Sequence, residues 1–175
     1  MENNIVKLVI EAIKNVSNDY IRIERADGGQ QYRERVFCYE LYHQMRQIQD
    51  DFCKSLIING ELDKRSYSGF NNKVPDFLFH VPGNNDNNEA IFEVKNTLEN
   101  KDEIINDFKK IDKFINEHGY KIGIFLLYNH SFSDEKQKIK NILEKCEVKN
   151  KEKIFIITTK NPSEVECKVY SEILT

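Results

Sequence analysis

"VPDFLFHVPGNNDNNEAIFEVKN", Val74 to Asn96, reads as two apolar strands joined by a polar turn. The strands fall near residues 75–81 and 90–95, and PGNNDNNE at 82–89 supplies the turn. Three charged residues interrupt that pattern. Asp76, Glu93 and Lys95 lie in or beside the strands, where an unpaired charge is costly to bury. Side chains alternate between faces along a strand, and directly opposed residues of an antiparallel pair share a face. If opposed residue numbers sum to an odd constant, as 76 with 93 or 76 with 95 would, then Asp76, Glu93 and Lys95 meet on one face. Phe77, Phe79, Val81, Phe92 and Val94 then form a continuous apolar surface on the other. An even sum would mix Glu93 and Lys95 with the phenylalanines. The hydrophobic pattern selects the odd register.

Two carboxylates on one patch repel and raise each other's pKa unless a cation joins them. A divalent ion with oxygen ligands does this well. Magnesium commonly takes one or two protein carboxylates, several waters and substrate phosphate oxygens. Lys95 beside it would hold or polarise a water, or stabilise charge developing at phosphorus. A surface salt bridge of Lys95 with Asp76 and Glu93 is the plainer reading of the same residues. Two features weigh against it: Leu78 and Ile91 share the charged face and need cover, and Pro75 places Asp76 where the strand begins.

Working outward, Ile5, Leu8, Val9, Ala12 and Val16 repeat at helical spacing, which predicts a first helix near 3–17. Asp27-Gly28-Gly29 is a turn signal; as a phosphate-cradling loop it lacks both a lysine and GxGxxG spacing. A second helix is expected over about Arg33 to Asp50, with Phe37, Leu41, Gln44 and Ile48 on one stripe and Glu40 on or beside it. KSLIING follows as a strand ending near Glu61, then a polar loop, DKRSYSGFNNK, leads into the hairpin. A third helix places Ile104, Ile105, Phe108, Ile111 and Ile115 on the core and stops at Gly119. Lys109, Lys110 and Lys113 then belong to its solvated side. KIGIFLLY is a continuous apolar run, as in a strand covered on both faces. Ser133 is the expected cap of a fourth helix to about Cys146, and KIFIITT and CKVYSEIL are the last strands. Hairpin-linked strands pair antiparallel, while the later strand–helix–strand crossover implies parallel pairing. The expectation is one α/β domain over residues 1–175, with a mixed central sheet flanked by helices.

Composition bounds the function. The chain has 175 residues, 39% hydrophobic and 31% charged, ordinary for a globular domain. No apolar run approaches the roughly 20 residues that cross a bilayer. The start, MENNIVKLVIEAIKN, lacks the basic opening and cleavage site of a signal peptide, so the expected compartment is the cytoplasm, with no membrane partner. Cys38, Cys53, Cys146 and Cys167 form no CxxC pair and read as reduced, mostly buried thiols. A formal charge of −3 disfavours a protein that merely coats nucleic acid. It leaves room for an enzyme that meets phosphate through metal ions.

Pro75-Asp76, a hairpin, then Glu93-Val94-Lys95 resembles the PD-(D/E)XK signature of the restriction-endonuclease-like nuclease superfamily. The element order over about 33–128 also resembles its αβββαβ core, with the first helix and the C-terminal helix and strands as elaborations. The resemblance implies a metal-dependent nuclease hydrolysing phosphodiester bonds, with DNA favoured over RNA. Asp76 and Glu93 would ligate magnesium or manganese, the Val94 carbonyl would complete the shell, and Lys95 would orient the attacking water. Many members add an acid from the helix before the sheet. Glu40 is the first choice here and Glu34 the second; an exposed helix glutamate is the bland alternative for Glu40.

Around that site, His43 and Gln44 lie near Glu40 on the helix and could touch substrate phosphate, although a lone helix histidine is more often structural. His80 shares the Asp76 face further along, where packing is its expected role. Lys64, Arg65, Tyr67, Phe70 and Lys73 interleave basic and aromatic residues before Asp76, suiting phosphate contact and base stacking, or an ordinary solvated loop. Glu61 is either a further acid or a turn residue. By fold analogy the resemblance also admits a homodimer and a defence or mobile-element setting. The rival class is a non-catalytic nucleic-acid-binding or assembly module that keeps the fold.

Overall fold

The computed structural model describes residues 3–60, 74–83 and 87–175. Helix α1 (Asn4–Asn15) begins where the Asn3 side chain accepts the Ile5 and Val6 N–H groups, and it buries Leu8, Val9, Ala12 and Ile13. A short α2 (Asn18–Ile21) leads to a two-stranded ribbon, β1 (Ile23–Glu24) with β2 (Gln30–Gln31). Its turn is the expected one: Gly28 adopts φ 78° and the Asp27 side chain accepts the Gly29 N–H. Helix α3 (Glu34–Cys53) buries Phe37, Leu41, Met45 and Gln49. That corrects the expected stripe, since Gln44 and Ile48 are only half-buried.

Among the described residues, six strands form the main sheet: β3 (Ile57–Gly60), β4 (Phe77–His80), β5 (Asn88–Lys95), β6 (Ile122–Tyr128), β7 (Ile154–Thr159) and β8 (Val165–Val169). They lie in chain order. Pairing is antiparallel from β3 to β5, parallel from β5 to β7, and antiparallel again at β8. Two crossover helices, α4 (Lys101–His118) and α5 (Phe132–Leu143), join the parallel strands. Right-handed crossovers advancing in one direction put both helices on one face, where they pack with Leu78, Ile91, Phe125, Leu127 and Ile156. Helices α1 and α3 cover the other face, over Phe77, Phe79, Phe92, Val94 and Leu126. The mixed α/β sheet flanked by helices is as expected.

Two details fix how α4 sits. Gly119 ends it in the left-handed conformation, φ 70°. Gly123 lets it approach, because a Cβ there would lie 2.1 Å from Ile111 Cγ2. Several boundaries differ from expectation: α3 runs on to Cys53, β5 already begins at Asn88 and α5 stops at Leu143. Ser131, not Ser133, caps α5 through the Asp134 N–H, because the chain turns at Asn129 (φ 66°) directly after β6. The last strand stops at Val169 and a short α6 (Tyr170–Leu174) follows. Tyr170 turns inward there and donates its hydroxyl to the Leu143 carbonyl at 2.7 Å. No disulfide joins the cysteines; only Cys146 is buried and the other three are half-buried, fewer than expected. Among the described residues no helix is long and apolar enough to cross a membrane.

Candidate functional site

The β4–β5 register is odd. Phe77 opposes Phe92, Leu78 opposes Ile91 and Phe79 opposes Ala90, which continues to Asp76 beside Glu93. The pairing shifts only beyond Phe79, where His80 meets Asn88. Phenylalanines therefore face α1 and α3, and Leu78 and Ile91 face α4 and α5. His80 has the packing role expected of it: it is buried and bonded to Asn59 on β3.

Asp76 stands just before β4, so its side chain takes a backbone donor that a longer strand would have paired. Its Oδ2 accepts the Val94 N–H at 2.7 Å. Burial raises its pKa; that hydrogen bond and the charges of Lys95 and Lys110 hold the rise back. Glu93 is 2% exposed. Its Oε2 receives the Lys110 ammonium at 2.8 Å, whereas Oε1 is buried with no hydrogen-bond partner. Burial drives the Glu93 pKa well above the carboxylate range, Asp76 adds to the rise, and Lys110 opposes it.

Lys95 reaches three acids: Glu103 at 3.1 Å, Asp107 at 3.4 Å and Glu34 at 3.7 Å. Burial disfavours its charge, but Asp107, Glu34 and Glu103 outweigh that and raise its pKa. Lys110 also contacts Asp107, at 3.3 Å. Burial again acts against the charge, and Glu93 and Asp107 raise the Lys110 pKa above that of an ordinary lysine.

The helix acid beside Lys95 is Glu34, not Glu40. Seven residues separate Glu34 from the buried Leu41, leaving it only about 20° off that line around the helix, whereas Glu40 lies about 100° away. Glu40 instead accepts a hydrogen bond from Gln44. Burial and the nearby Asp76 push the Glu34 carboxyl up to about 7, against the pull of Lys95. His43 is exposed and bonded to Gln47, so neither His43 nor Gln44 is brought to this cluster. Lys64, Arg65, Tyr67, Phe70, Lys73 and Glu61 lie outside the described residues.

Sequence reasoning missed Asp107 and Lys110. Asp107 is 6% exposed and sits one residue before Phe108 and four before Ile111, on the buried stripe; that spacing was a readable signal. Lys110 carried none, because a helix lysine facing a charged sheet end looks the same in sequence as one facing water. An open cavity of about 720 Å³ adjoins the cluster, bordered by Glu34, Arg35, Tyr39, Tyr42 and Asp76. Tyr39 is 63% exposed at its rim.

Among the described residues, no three His, Cys, Asp or Glu side chains converge as a ready-made metal cage. Glu93 and Asp107 are turned toward ammonium groups instead. Two carboxylates still suffice for a magnesium ion that keeps its waters, and the bare Glu93 Oε1 lacks the donor or cation a buried carboxylate oxygen requires. The residues fit such an ion. No protein-family model, curated protein or solved structure matches this chain.

Proposed function

We propose that this chain is a metal-dependent nuclease of the PD-(D/E)XK type, hydrolysing phosphodiester bonds, with DNA the favoured substrate. The observation that carries the reading is the odd hairpin register, which stacks Asp76 against Glu93 with Lys95 two residues on. The order α3–β3–β4–β5–α4–β6 supports it, because it follows the αβββαβ core of that superfamily.

Asp76 and Glu93 would hold the divalent ion, with Glu34 as the helix acid and the Val94 carbonyl as a further oxygen. The ion would supply Lewis-acid neutralisation of phosphate charge and an activated water. The chain's own groups do the rest. Lys95, kept protonated by three acids, donates to the attacking water or to a phosphate oxygen as charge develops. It cannot act as a base at neutral pH. Burial pushes the Glu34 carboxyl up to about 7 in the metal-free chain, and it borders the cavity, where a cation would favour its charged form. Tyr39, Tyr42 and Arg35 give that cavity aromatic and cationic character, as suits a nucleotide strand.

One observation favours the rival reading, a nucleic-acid-binding or assembly module without catalysis: Lys95 and Lys110 already neutralise Glu93 and Asp107. A cleavage panel separates the two. Plasmid, linear duplex, single-stranded DNA and RNA are incubated with magnesium, manganese or chelator, using wild type, Asp76→Ala and Lys95→Ala. Metal-dependent cleavage lost in both variants is the expected result. Inactivity on every substrate, with metal binding unchanged by Asp76→Ala, sinks the nuclease reading.

A further inference from the structure

We propose that Lys110 is the resident counter-cation of the candidate metal site, holding Glu93 in the metal-free protein and ceding it to a divalent ion by moving onto Asp107. This rests on the metal-site reading of Asp76 and Glu93 and adds to it a residue outside the motif.

The geometry provides both ends of the exchange. The Lys110 ammonium is 2.8 Å from Glu93 Oε2, and its side chain is only 11% exposed. A divalent ion at the bare Oε1 of the same carboxylate meets that ammonium across the carboxylate's width in a poorly solvated pocket, where repulsion between like charges is strong. Asp107, one turn earlier on the same helix, is already 3.3 Å from the same ammonium. A side-chain rotation toward Asp107 therefore frees Glu93 while the buried ammonium stays paired. Lys95 also uses Asp107, through the other oxygen, so the move tightens one acid between two lysines.

Charge counting agrees. Five carboxyl groups, Asp76, Glu93, Asp107, Glu34 and Glu103, surround two ammonium groups, Lys95 and Lys110. Acids outnumber cations, and the bare Glu93 Oε1 is a buried oxygen left without a partner. Lys110 keeps a buried Glu93 tolerable without metal, and the cost is weaker metal binding.

The test is calorimetric titration of the full chain with Mn2+, without nucleic acid, for wild type, K110M and E93Q. K110M should bind Mn2+ roughly tenfold tighter than wild type or better, equivalent to about 1.4 kcal/mol, and E93Q should bind little. Equal or weaker binding by K110M overturns the counter-cation role while the metal-site reading stands. Absence of binding in both wild type and K110M overturns both. Should K110M not fold, 15N-lysine NMR of wild type decides, with Lys110 assigned from K110R. A Lys110 ammonium signal that shifts on adding Mg2+ supports the exchange, and one that does not move overturns it.

Discussion

Glu93 pairs one oxygen with Lys110, leaves the other bare, and lies close enough to Asp76 for the two charges to disfavour each other. Such an arrangement is held against its own electrostatics, so the side chains around it should be sensitive to substitution. Under the nuclease reading, Lys95→Ala lowers the cleavage rate by about a hundredfold or more, whereas Glu40→Gln stays within roughly twofold, since Glu40 bonds only Gln44 on its own helix. Single-turnover cleavage assays check both. Glu34 gives a pH prediction. Its folded pKa is raised from 4.5 to about 7, so the folded state holds the proton more tightly. The stability this contributes is complete below 4.5 and is lost as pH rises through 7. Glu34→Gln should therefore gain stability relative to wild type between pH 5 and pH 8. With the side chain 33% exposed, a gain on the order of 1 kcal/mol is expected, read by urea unfolding at the two pH values. The motif acids and Lys95 were legible because strand alternation has a period of two and one face was plainly apolar. Glu34 was less so: an acid on the first turn of a helix is also a favourable dipole partner, which masks a site role.

At the scale of elements, α4 is placed by shape complementarity, and α5 by its buried Phe132, Ile139, Ile142 and Leu143, with its start set by a capping hydroxyl. The missing side chain at Gly123 is what lets Ile111 rest on β6. Gly123→Ala should cost about 1–3 kcal/mol, and pairing it with Ile111→Ala should recover part of that loss, a coupling measurable by a double-mutant unfolding cycle. Ser131 accepts the Asp134 N–H at the start of α5 and shares a 2.8 Å hydroxyl–hydroxyl hydrogen bond with Ser133, so Ser131→Ala should lower stability by about 1 kcal/mol and Ser133→Ala by less; chemical denaturation of both variants checks this. The helices and the central strands were readable from hydrophobic spacing. The ends were not: Ser131 and Ser133 are equivalent cap candidates in sequence, and only the left-handed turn at Asn129 chooses between them. Likewise CKVYSEIL alternates well enough for a strand until Tyr170 finds the Leu143 carbonyl.

For the molecule as a whole, the net charge of −3 and the acids gathered at one end of the sheet set a condition on any nucleic-acid partner. Phosphate will be repelled from that end unless a cation intervenes. Gel-shift binding of duplex DNA should therefore strengthen about tenfold or more on replacing chelator with Ca2+, and the gain should vanish in Asp76→Ala. Pairing direction was legible because hairpins and crossovers dictate it. Which helix faced which charged residue was not, since that depends on helix rotation. The break in pairing between Phe79 and His80 has a practical corollary. It acts as a slip joint: β4 and β5 are locked from Phe79 back toward Asp76, while the stretch beyond is re-phased. Loop lengthening is thermodynamically mild, so residues inserted between β4 and β5 should leave the pairing on the Asp76 side of the joint in place. That corner is where a tag or reporter peptide can be spliced into this chain with Asp76 still facing Glu93.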